Sequence, residues 1–278
     1  MNDHTTLPSL AISIAGIRVN LLLDGLSAAH AAVTAERYAA FTTPAAGPAA
    51  ITVRLHMEPG PDFIPFHPEG PFQVHSRRLN DRIEFESHYE KGWVDRARGE
   101  AALVMRDKGD PENFLRVIYA WLCIEQRSLL IHASGVIRHG SGYVFFGHSE
   151  SGKTTVAQLS LEHTVLSDDL VILKQQADGI WAFGVPFRGR LVEAPRTNAA
   201  APLKGLYTLV KDSEHRLAPT PPVEATARLA SCIPFVMEQP ANAARVIDIC
   251  SEIQARVPVQ ALHFRKDAGF WRVIDGTR

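Results

Sequence analysis

The chain has 278 residues, of which 46% are hydrophobic and 21% are charged, and its formal net charge at pH 7 is -1. This composition is typical of a folded globular protein, and the near-neutral charge gives no indication of a nucleic-acid partner. No apolar run approaches the ~20 residues of a membrane-spanning helix, and the N-terminal segment lacks a secretory signal pattern, so we expect no membrane partner and a cytoplasmic location.

Residues 1–107 are predicted to form a β-rich N-terminal domain. Apolar and polar residues alternate at Ile17–Leu23 and Ile51–Met57, and more weakly at Ile83–Tyr89. Alternation with period two is typical of strands buried on one face, and we expect these strands to be antiparallel. The alanine-rich segment Ala28–Ala40 favours a helix. Substrate capture is one role that such a domain could serve.

Residues 108–278 combine helical and strand patterns, which predicts a larger α/β domain. Asp110 and Pro111 suit the cap and the first position of a helix. Two β-branched and aromatic runs follow, Leu129–Ile137 and Tyr143–Phe146, and the glycine-containing turn between them predicts a hairpin. Further along, strands are predicted at Thr164–Leu173, Trp181–Val185 and Val259–Phe264, a loop at Ala218–Pro222, and an amphipathic helix carrying Val246, Ile249, Cys250, Ile253 and Val257.

The three cysteines, Cys123, Cys232 and Cys250, show neither close pairing nor the spacing of zinc ligands. We therefore predict reduced and mostly buried thiols. No His or Lys stands in a recognisable activating pattern near them, which argues against a reactive cysteine.

The strongest chemical pattern is the glycine-rich loop at residues 147–155, which matches G-x-x-x-x-G-K-[ST] and lies between a predicted strand and a predicted helix. Glycines allow successive backbone N–H groups to point at phosphate oxygens. Lys153 would neutralise the β and γ phosphates, and the Thr154 hydroxyl would bind Mg²⁺. The competing interpretation is a chance match in a glycine-rich turn. The predicted nucleotide-binding residues are Gly147, Ser149, Glu150, Ser151, Gly152, Lys153, Thr154 and Thr155.

The adjacent pair Asp168-Asp169 lies in an apolar strand shortly after this loop. Phosphoryl-transfer enzymes place an acidic residue on a neighbouring strand to hold the metal, and a second carboxylate can accept the proton of an attacking hydroxyl. Adjacent strand residues point to opposite faces, so both can serve only if the strand ends or bulges there. A solvent-facing acidic turn is the alternative. His132, in the strand predicted beside the loop's own strand, is either a core histidine or a third member of the site.

The run from His132 to Asp169 resembles the catalytic domain of HPr kinase/phosphorylase. The shared features are a His-containing strand, a hairpin, a loop ending G-K-[ST], and a strand ending in paired aspartates. This resemblance implies a P-loop kinase fold related to phosphoenolpyruvate carboxykinase, with ATP and Mg²⁺, that phosphorylates a serine of a protein or peptide. It implies catalytic roles for Lys153, His132, Asp168 and Asp169. Of the two aspartates, one would be the base and the other would assist Thr154 at the metal. Asp169 is the predicted metal ligand.

The chain also departs from this family. Thr155 stands where the family has a glutamate after the loop, and the segment Pro186–Glu193 only loosely matches the family's downstream loop. Arg188, Arg190 and Glu193 are therefore candidates for acceptor or phosphate contacts, with an exposed basic loop as the alternative. The N-terminal part differs from the family's regulatory domain, which brings the chain closer to shorter HPr-kinase-like proteins that phosphorylate a peptide serine.

Three functions compete on this evidence. The first is an ATP-dependent kinase that acts on a serine of a protein or peptide. The second is a kinase of the same fold for a free amino acid or another metabolite, which calls for a closed acceptor pocket in place of an open groove. The third is a nucleotide-binding module without catalysis, against which the paired aspartates argue. The sequence leaves a homo-oligomer open.

Overall fold

The computed structural model describes residues 9–44 and 47–276. It is a mixed α/β structure with two β-sheets. The chain divides into two compact units, one ending at Tyr119 and one beginning at Ala120, so the division falls inside the helix Glu112–Glu125. The predicted boundary lies between residues 107 and 108. Among the described residues, no helix is both long enough and apolar enough to cross a membrane.

The first unit contains a seven-stranded sheet with strand order β1-β2-β3-β7-β6-β5-β4. Its elements are β1 (Ser9–Ile14), β2 (Ile17–Gly25), α1 (Ala28–Tyr38), β3 (Ile51–Met57), β4 (Val74–Leu79), β5 (Arg82–Ser87), β6 (Glu90–Asp95), β7 (Glu100–Met105) and α2 (Glu112–Glu125). All three segments with period-two alternation form strands, although the third strand ends at Ser87, before Tyr89. The alanine-rich segment is a helix as far as Tyr38. Buried and less buried residues alternate along β2 and β3, so one face of the sheet carries the core.

The expectation that the N-terminal strands are antiparallel is wrong for two pairs. β2 and β3 run parallel, and so do β3 and β7. For β2 and β3 the reason is the connection between them. The helix α1 carries the chain across the sheet, and such a crossover returns the next strand in the same direction. Alternation reports one buried face and carries no information on strand direction.

Local hydrogen bonds fix the ends of both helices in this unit. The Ser27 side chain accepts from the His30 N–H at the start of α1. Asp110 Oδ1 accepts from the Glu112 N–H at 2.8 Å, which confirms its predicted capping role at α2. Within the core, the rings of Phe85 and Phe114 pack edge to face with centroids 5.2 Å apart, so the apolar stripe of α2 contacts the buried face of the sheet.

The second unit is built on an eight-stranded sheet with order β10-β8-β11-β12-β13-β15-β14, in which β9 lies between β8 and β13. Its elements are β8 (Ser128–Arg138), β9 (Ser141–Phe146), α3 (Lys153–Gln158), β10 (Thr164–Ser167), β11 (Leu170–Gln176), β12 (Gly179–Phe183), β13 (Ala200–Lys211), β14 (Arg216–Pro219), α4 (Pro222–Ala230), α5 (Pro240–Arg256), β15 (Val259–Phe264) and α6 (Phe270–Ile274). β9 pairs antiparallel with β8 and parallel with β13.

The predicted hairpin is confirmed, with Arg138 opposite Ser141 and a two-residue turn. Both turn residues, His139 and Gly140, have positive φ, which matches the right-handed twist of the flanking strands. The single strand predicted at Thr164–Leu173 is wrong, because β10 ends at Ser167 and β11 begins at Leu170.

The predicted loop at Ala218–Pro222 is also wrong. Pro219 is the last residue of β14, where the chain ends its pairing with β15, and Pro222 is the first residue of α4. Proline is tolerated at both kinds of position because neither requires its missing N–H. The prediction had placed both prolines in a connecting loop, because proline often interrupts strands and helices.

An aromatic cluster forms the core beneath β9 and β13. The ring of Phe145 stacks on Tyr207 with centroids 5.4 Å apart and meets Phe270 and Trp271 edge to face. Val156 of α3 belongs to the same cluster, so the helix that follows the glycine loop packs against the aromatic core. The three cysteines are free and buried, as predicted.

Truncation of this cluster should destabilise the second unit. Phe145→Ala is expected to lower the free energy of unfolding by about 3–5 kcal/mol, because Phe145 is fully buried and its removal leaves a cavity. Urea denaturation followed by tryptophan fluorescence measures the change. Val223→Ala is the control, since Val223 is 84% exposed on α4, and a loss of similar size there would contradict the packing described.

Candidate functional site

The glycine loop links the end of β9 to the start of α3 through an unusual backbone. Gly147 and Gly152 have φ values of 152° and 111°, and Glu150 has a φ of 64°. A Cβ atom on Gly152 would lie 2.8 Å from the ring of Phe264, so this position requires glycine for space as well as for conformation. The loop therefore wraps tightly over the end of the sheet and exposes its backbone to a cleft.

The Lys153 side chain folds back on this loop. Its Nζ donates to the carbonyl oxygens of Gly147 at 2.9 Å and of His148 at 3.0 Å. Burial lowers the pKa of Lys153 below its usual value, and the neighbouring Cys232 and Asp169 partly oppose this effect. An anion held by the loop would in turn stabilise the charged form of this lysine.

The break between β10 and β11 separates the two adjacent aspartates. The Ser167 hydroxyl accepts hydrogen bonds from the N–H groups of Asp169 and Leu170 at 3.1 and 3.2 Å, and it donates to the Phe187 carbonyl. This local turn competes with the strand ladder, as serine hydroxyls commonly do. The strand ends between the two aspartates, as the sequence required for both carboxylates to serve, but the two side chains make different contacts.

The Asp168 carboxylate is buried and holds the following loop. Its Oδ1 accepts from the Gly189 N–H at 3.0 Å, and its Oδ2 accepts from the N–H groups of Arg190 and Leu191 at 2.9 and 3.1 Å. A Cβ atom on Gly189 would lie 2.6 Å from Asp168 Oδ2, so the close approach requires glycine. Asp168 thus positions the segment that carries Arg190.

The Asp169 carboxylate points instead towards His132. Asp169 Oδ1 lies 3.2 Å from His132 Nδ1, and the two side chains are 16% and 44% exposed. The backbone carbonyl of Asp169 accepts from the N–H of Ala133, the residue after His132 on β8, at 2.9 Å. This bond holds the backbones of Asp169 and His132 side by side. Asp169 is therefore oriented by a histidine and remains accessible, which is the arrangement expected of a general base.

These residues surround a cleft of about 490 Å³, which we call the lysine cleft. Ten of the fourteen predicted site residues converge there, although they come from β8, the glycine loop with the start of α3, the β10–β11 bend and the segment after β12. The lining residues are His132, Ser149, Glu150, Gly152, Lys153, Thr154, Thr155, Asp168, Asp169, Gly189, Arg190 and Lys211.

A second cleft of about 690 Å³ lies on the other side of the same loop, and we call it the cysteine cleft. Its walls are Gly147–Ser151, Thr208–Lys211, and Arg228, Ser231 and Cys232 at the end of α4. The Cys232 thiol accepts the Gly147 N–H, and burial raises its pKa. The Cys232 carbonyl accepts from the His132 N–H at 2.8 Å. Cys232 therefore contacts both the glycine loop and the strand of His132.

Two predicted acceptor contacts lie elsewhere, and several site residues had not been predicted. Arg188 donates to the Ala194 carbonyl at 2.9 Å and so supports its own loop. Glu193 is exposed, and no described contact brings it to either cleft. Lys211 lines both clefts. It could not be found from the sequence because the strand that carries it, β13, had not been predicted.

The residues at the lysine cleft are compatible with a Mg²⁺ ion. Among the described residues, no three His, Cys, Asp or Glu side chains are grouped as a metal site. Mg²⁺ usually needs only one or two protein carboxylates, because water and substrate phosphates complete its shell. The Thr154 hydroxyl and the Asp169 carboxylate both line the cleft and supply the hard oxygen ligands that this ion prefers.

No protein-family model matches the chain, and a comparison with curated proteins found no significant match. The resemblance to HPr kinase/phosphorylase over residues 132–169 therefore stays a prediction. The function has to be inferred from the site itself.

The two aspartates should respond differently to the same substitution. Asp168→Asn places an amide N–H₂ against three backbone donors, so we expect a loss of about 1–3 kcal/mol in unfolding free energy and faster tryptic cleavage after Arg188 and Arg190. Asp169→Asn should change neither quantity appreciably. Urea denaturation and limited proteolysis measure both effects. Equal destabilisation by the two variants would contradict the separation of their roles.

Proposed function

We propose that the chain is an ATP-dependent kinase that transfers the γ-phosphoryl group to a serine hydroxyl of a protein or peptide. One observation carries this proposal. The Lys153 ammonium, the His132–Asp169 pair and the segment of Arg190 meet at one cleft beside a loop with positive-φ glycines. Binding alone requires the loop and the lysine, whereas a carboxylate oriented by a histidine is suited to accept a proton.

In the proposed reaction, the serine hydroxyl lies in the lysine cleft and gives its proton to Asp169. The hydroxyl oxygen attacks the γ phosphorus, the bond from that phosphorus to the β–γ bridging oxygen breaks, and ADP leaves. His132 holds the Asp169 carboxylate through the contact between Nδ1 and Oδ1, so the base need not reorient. Positioning of this kind supplies much of the rate in phosphoryl transfer.

Positive charge at the cleft would neutralise the phosphates. Lys153 would exchange the carbonyls of Gly147 and His148 for phosphate oxygens when ATP binds. Arg190 is exposed at the cleft and is positioned by Asp168 through the backbone. Thr154 would hold Mg²⁺, which when bound neutralises charge on the β and γ phosphates, and Asp169 is left free of the metal to accept the serine proton.

The open lysine cleft favours a peptide over a free metabolite. His132 keeps 44% of its side-chain surface exposed, and Arg190 and Lys211 are both exposed. A small acceptor bound alone would call for a more enclosed pocket, because such sites bury most of their ligand. An exposed cleft rim suits a segment of polypeptide that extends beyond the reacting serine.

The finer fold assignment belongs to the same proposal. We assign the second unit to the P-loop kinases of the HPr kinase and phosphoenolpyruvate carboxykinase type. The order of the His132 strand, hairpin, glycine loop and paired aspartates supports this assignment. In the second unit, the strands run both parallel and antiparallel around β9 and β13, which distinguishes the sheet from an all-parallel one.

Phosphoryl transfer can be tested with γ-labelled ATP, Mg²⁺ and a panel of serine peptides and free metabolites. We expect label on peptide serine. Asp169→Asn should lower the rate constant of transfer by about 10²–10⁴-fold, the usual contribution of a general base, and leave the dissociation constant for ATP within about twofold. Glu162→Gln is a matched control, because the Glu162 side chain is 72% exposed.

Three other outcomes would contradict parts of this proposal. Label on a free metabolite and on no peptide would favour the small-molecule kinase. ATP binding without transfer to any acceptor would favour a non-catalytic module. Full activity of the Asp169→Asn variant would remove the proposed base.

A further inference from the structure

We infer that the cysteine cleft is the nucleoside site of this protein and that the exposed edge of β13 reads the purine base. This inference rests on the proposed function. If the γ phosphate lies beside Lys153 and Asp169, the phosphate chain must follow the glycine loop away from them. Ser149, Glu150 and Lys211 line both clefts, so the clefts meet along that path. The nucleoside then falls in the cysteine cleft, whose volume of about 690 Å³ suits a small ligand.

The backbone of β13 provides unpaired groups at this cleft. β9 pairs with β13 as far as Phe146 and Thr208, and then the chain turns away into the glycine loop. On that side, Leu209–Lys211 have no strand partner among the described residues, although their pairing with β15 continues to Lys211 and Phe264. The protein therefore leaves a short free strand edge next to the start of the loop.

The direction of these groups follows from strand geometry. The Asp212 N–H donates to the Phe264 carbonyl, so the backbone groups of Asp212 face β15. Residues alternate in the side to which they direct their N–H and C=O groups. The groups of Leu209 and Lys211 consequently face the side of β9. The Leu209 N–H completes the last bond of the β9–β13 ladder, to the Phe146 carbonyl, so the groups left without a strand partner are the Leu209 carbonyl and the Lys211 N–H and carbonyl. A donor and an acceptor in this spacing match the alternating donors and acceptors on the edge of a purine base.

Two buried hydroxyls in the same cleft are also without partners. The side-chain oxygens of Ser151 and Thr208 are buried and make no hydrogen bond within the described part of the chain, and each residue is only 3% exposed. Unpaired buried hydroxyls are costly, and a bound ligand would offset that cost. Both residues line the cysteine cleft.

The remaining walls suit the flat face of a base. Arg228 lies at the rim, and its guanidinium pairs with Glu224 one helical turn earlier. A planar guanidinium stacks well on an aromatic ring. Leu209, Val210 and Cys232 supply apolar surface. The lysine cleft, which holds the charged and ionisable groups, is left for the acceptor.

Cys232 can report the occupancy of this cleft, because it lines the cleft and keeps 9% of its surface exposed, whereas Cys123 and Cys250 are fully buried. We would measure the alkylation rate of Cys232 by iodoacetamide at pH 8.5, with mass spectrometry of the peptides, in saturating Mg·ATP or saturating Mg·tripolyphosphate. ATP is expected to slow alkylation at least tenfold more than tripolyphosphate does, because only ATP carries a nucleoside. Equal protection by the two ligands, or none by ATP, would overturn this inference.

A second measurement compares affinities. Arg228→Ala should weaken ATP about tenfold and leave tripolyphosphate within twofold, whereas Arg245→Ala, an exposed arginine of α5, should change neither. Equal weakening of both ligands by Arg228→Ala, or of neither, would contradict the nucleoside assignment while leaving the loop as an anion site. Failure of both ligands to bind the unmodified protein would overturn the proposed function, and this inference with it.

Discussion

The interruption of one strand at Ser167 determines how the polar groups of the second unit are arranged. The Ser167 hydroxyl accepts hydrogen bonds from the N–H groups of Asp169 and Leu170, and β10 ends there after four residues. In a continuous strand, Asp168 and Asp169 would face opposite sides of the sheet. With the bend, Asp168 turns into the loop at residues 189–191 and Asp169 turns towards His132. One serine hydroxyl thereby allows two neighbouring carboxylates to perform different tasks.

Burial distinguishes the two aspartates. Asp168 is buried, and its two oxygens accept three backbone N–H groups, so the carboxylate is committed to holding a loop in place. Removing such an acceptor leaves buried donors unpaired, which is more costly than the net value of the bonds. Asp169 keeps part of its surface accessible beside a half-exposed histidine. Structural support and accessibility are thus divided between adjacent residues.

The glycine loop connects two clefts with different chemistry. The lysine cleft gathers ionisable groups, and the cysteine cleft combines apolar walls with an unpaired strand edge and two unpartnered hydroxyls. Cys232 joins the two sides, since its thiol contacts Gly147 and its carbonyl contacts the strand residue His132. The aromatic cluster below β9 packs against Val156 of α3, the helix that follows the loop. A loop between two such clefts suits a ligand with a charged end and an aromatic end.

Much of the site could be predicted from the sequence because its residues lie in short, strongly patterned segments. The loop motif, the hairpin and the paired aspartates are local features, and the structure brings His132, Lys153 and Asp169 to one cleft. The roles of Asp168, Lys211 and Cys232 could not be predicted, because each depends on contacts between segments distant in sequence. The parallel pairing of β2 and β3 was also missed, because alternation defines a buried face and carries no information on strand direction.

The central claim is that backbone amides and Lys153 hold a magnesium-bound triphosphate on the loop at residues 147–155. Isothermal titration calorimetry of the purified protein with ATP, with and without Mg²⁺, tests it most directly. We expect magnesium-dependent binding that Lys153→Ala weakens by about ten- to a hundredfold, the range for a hydrogen-bonded charge. Lys204→Ala, at an exposed position of β13, should bind as the unmodified protein does. Undetectable binding, or equal affinity in the Lys153→Ala variant, would contradict the account.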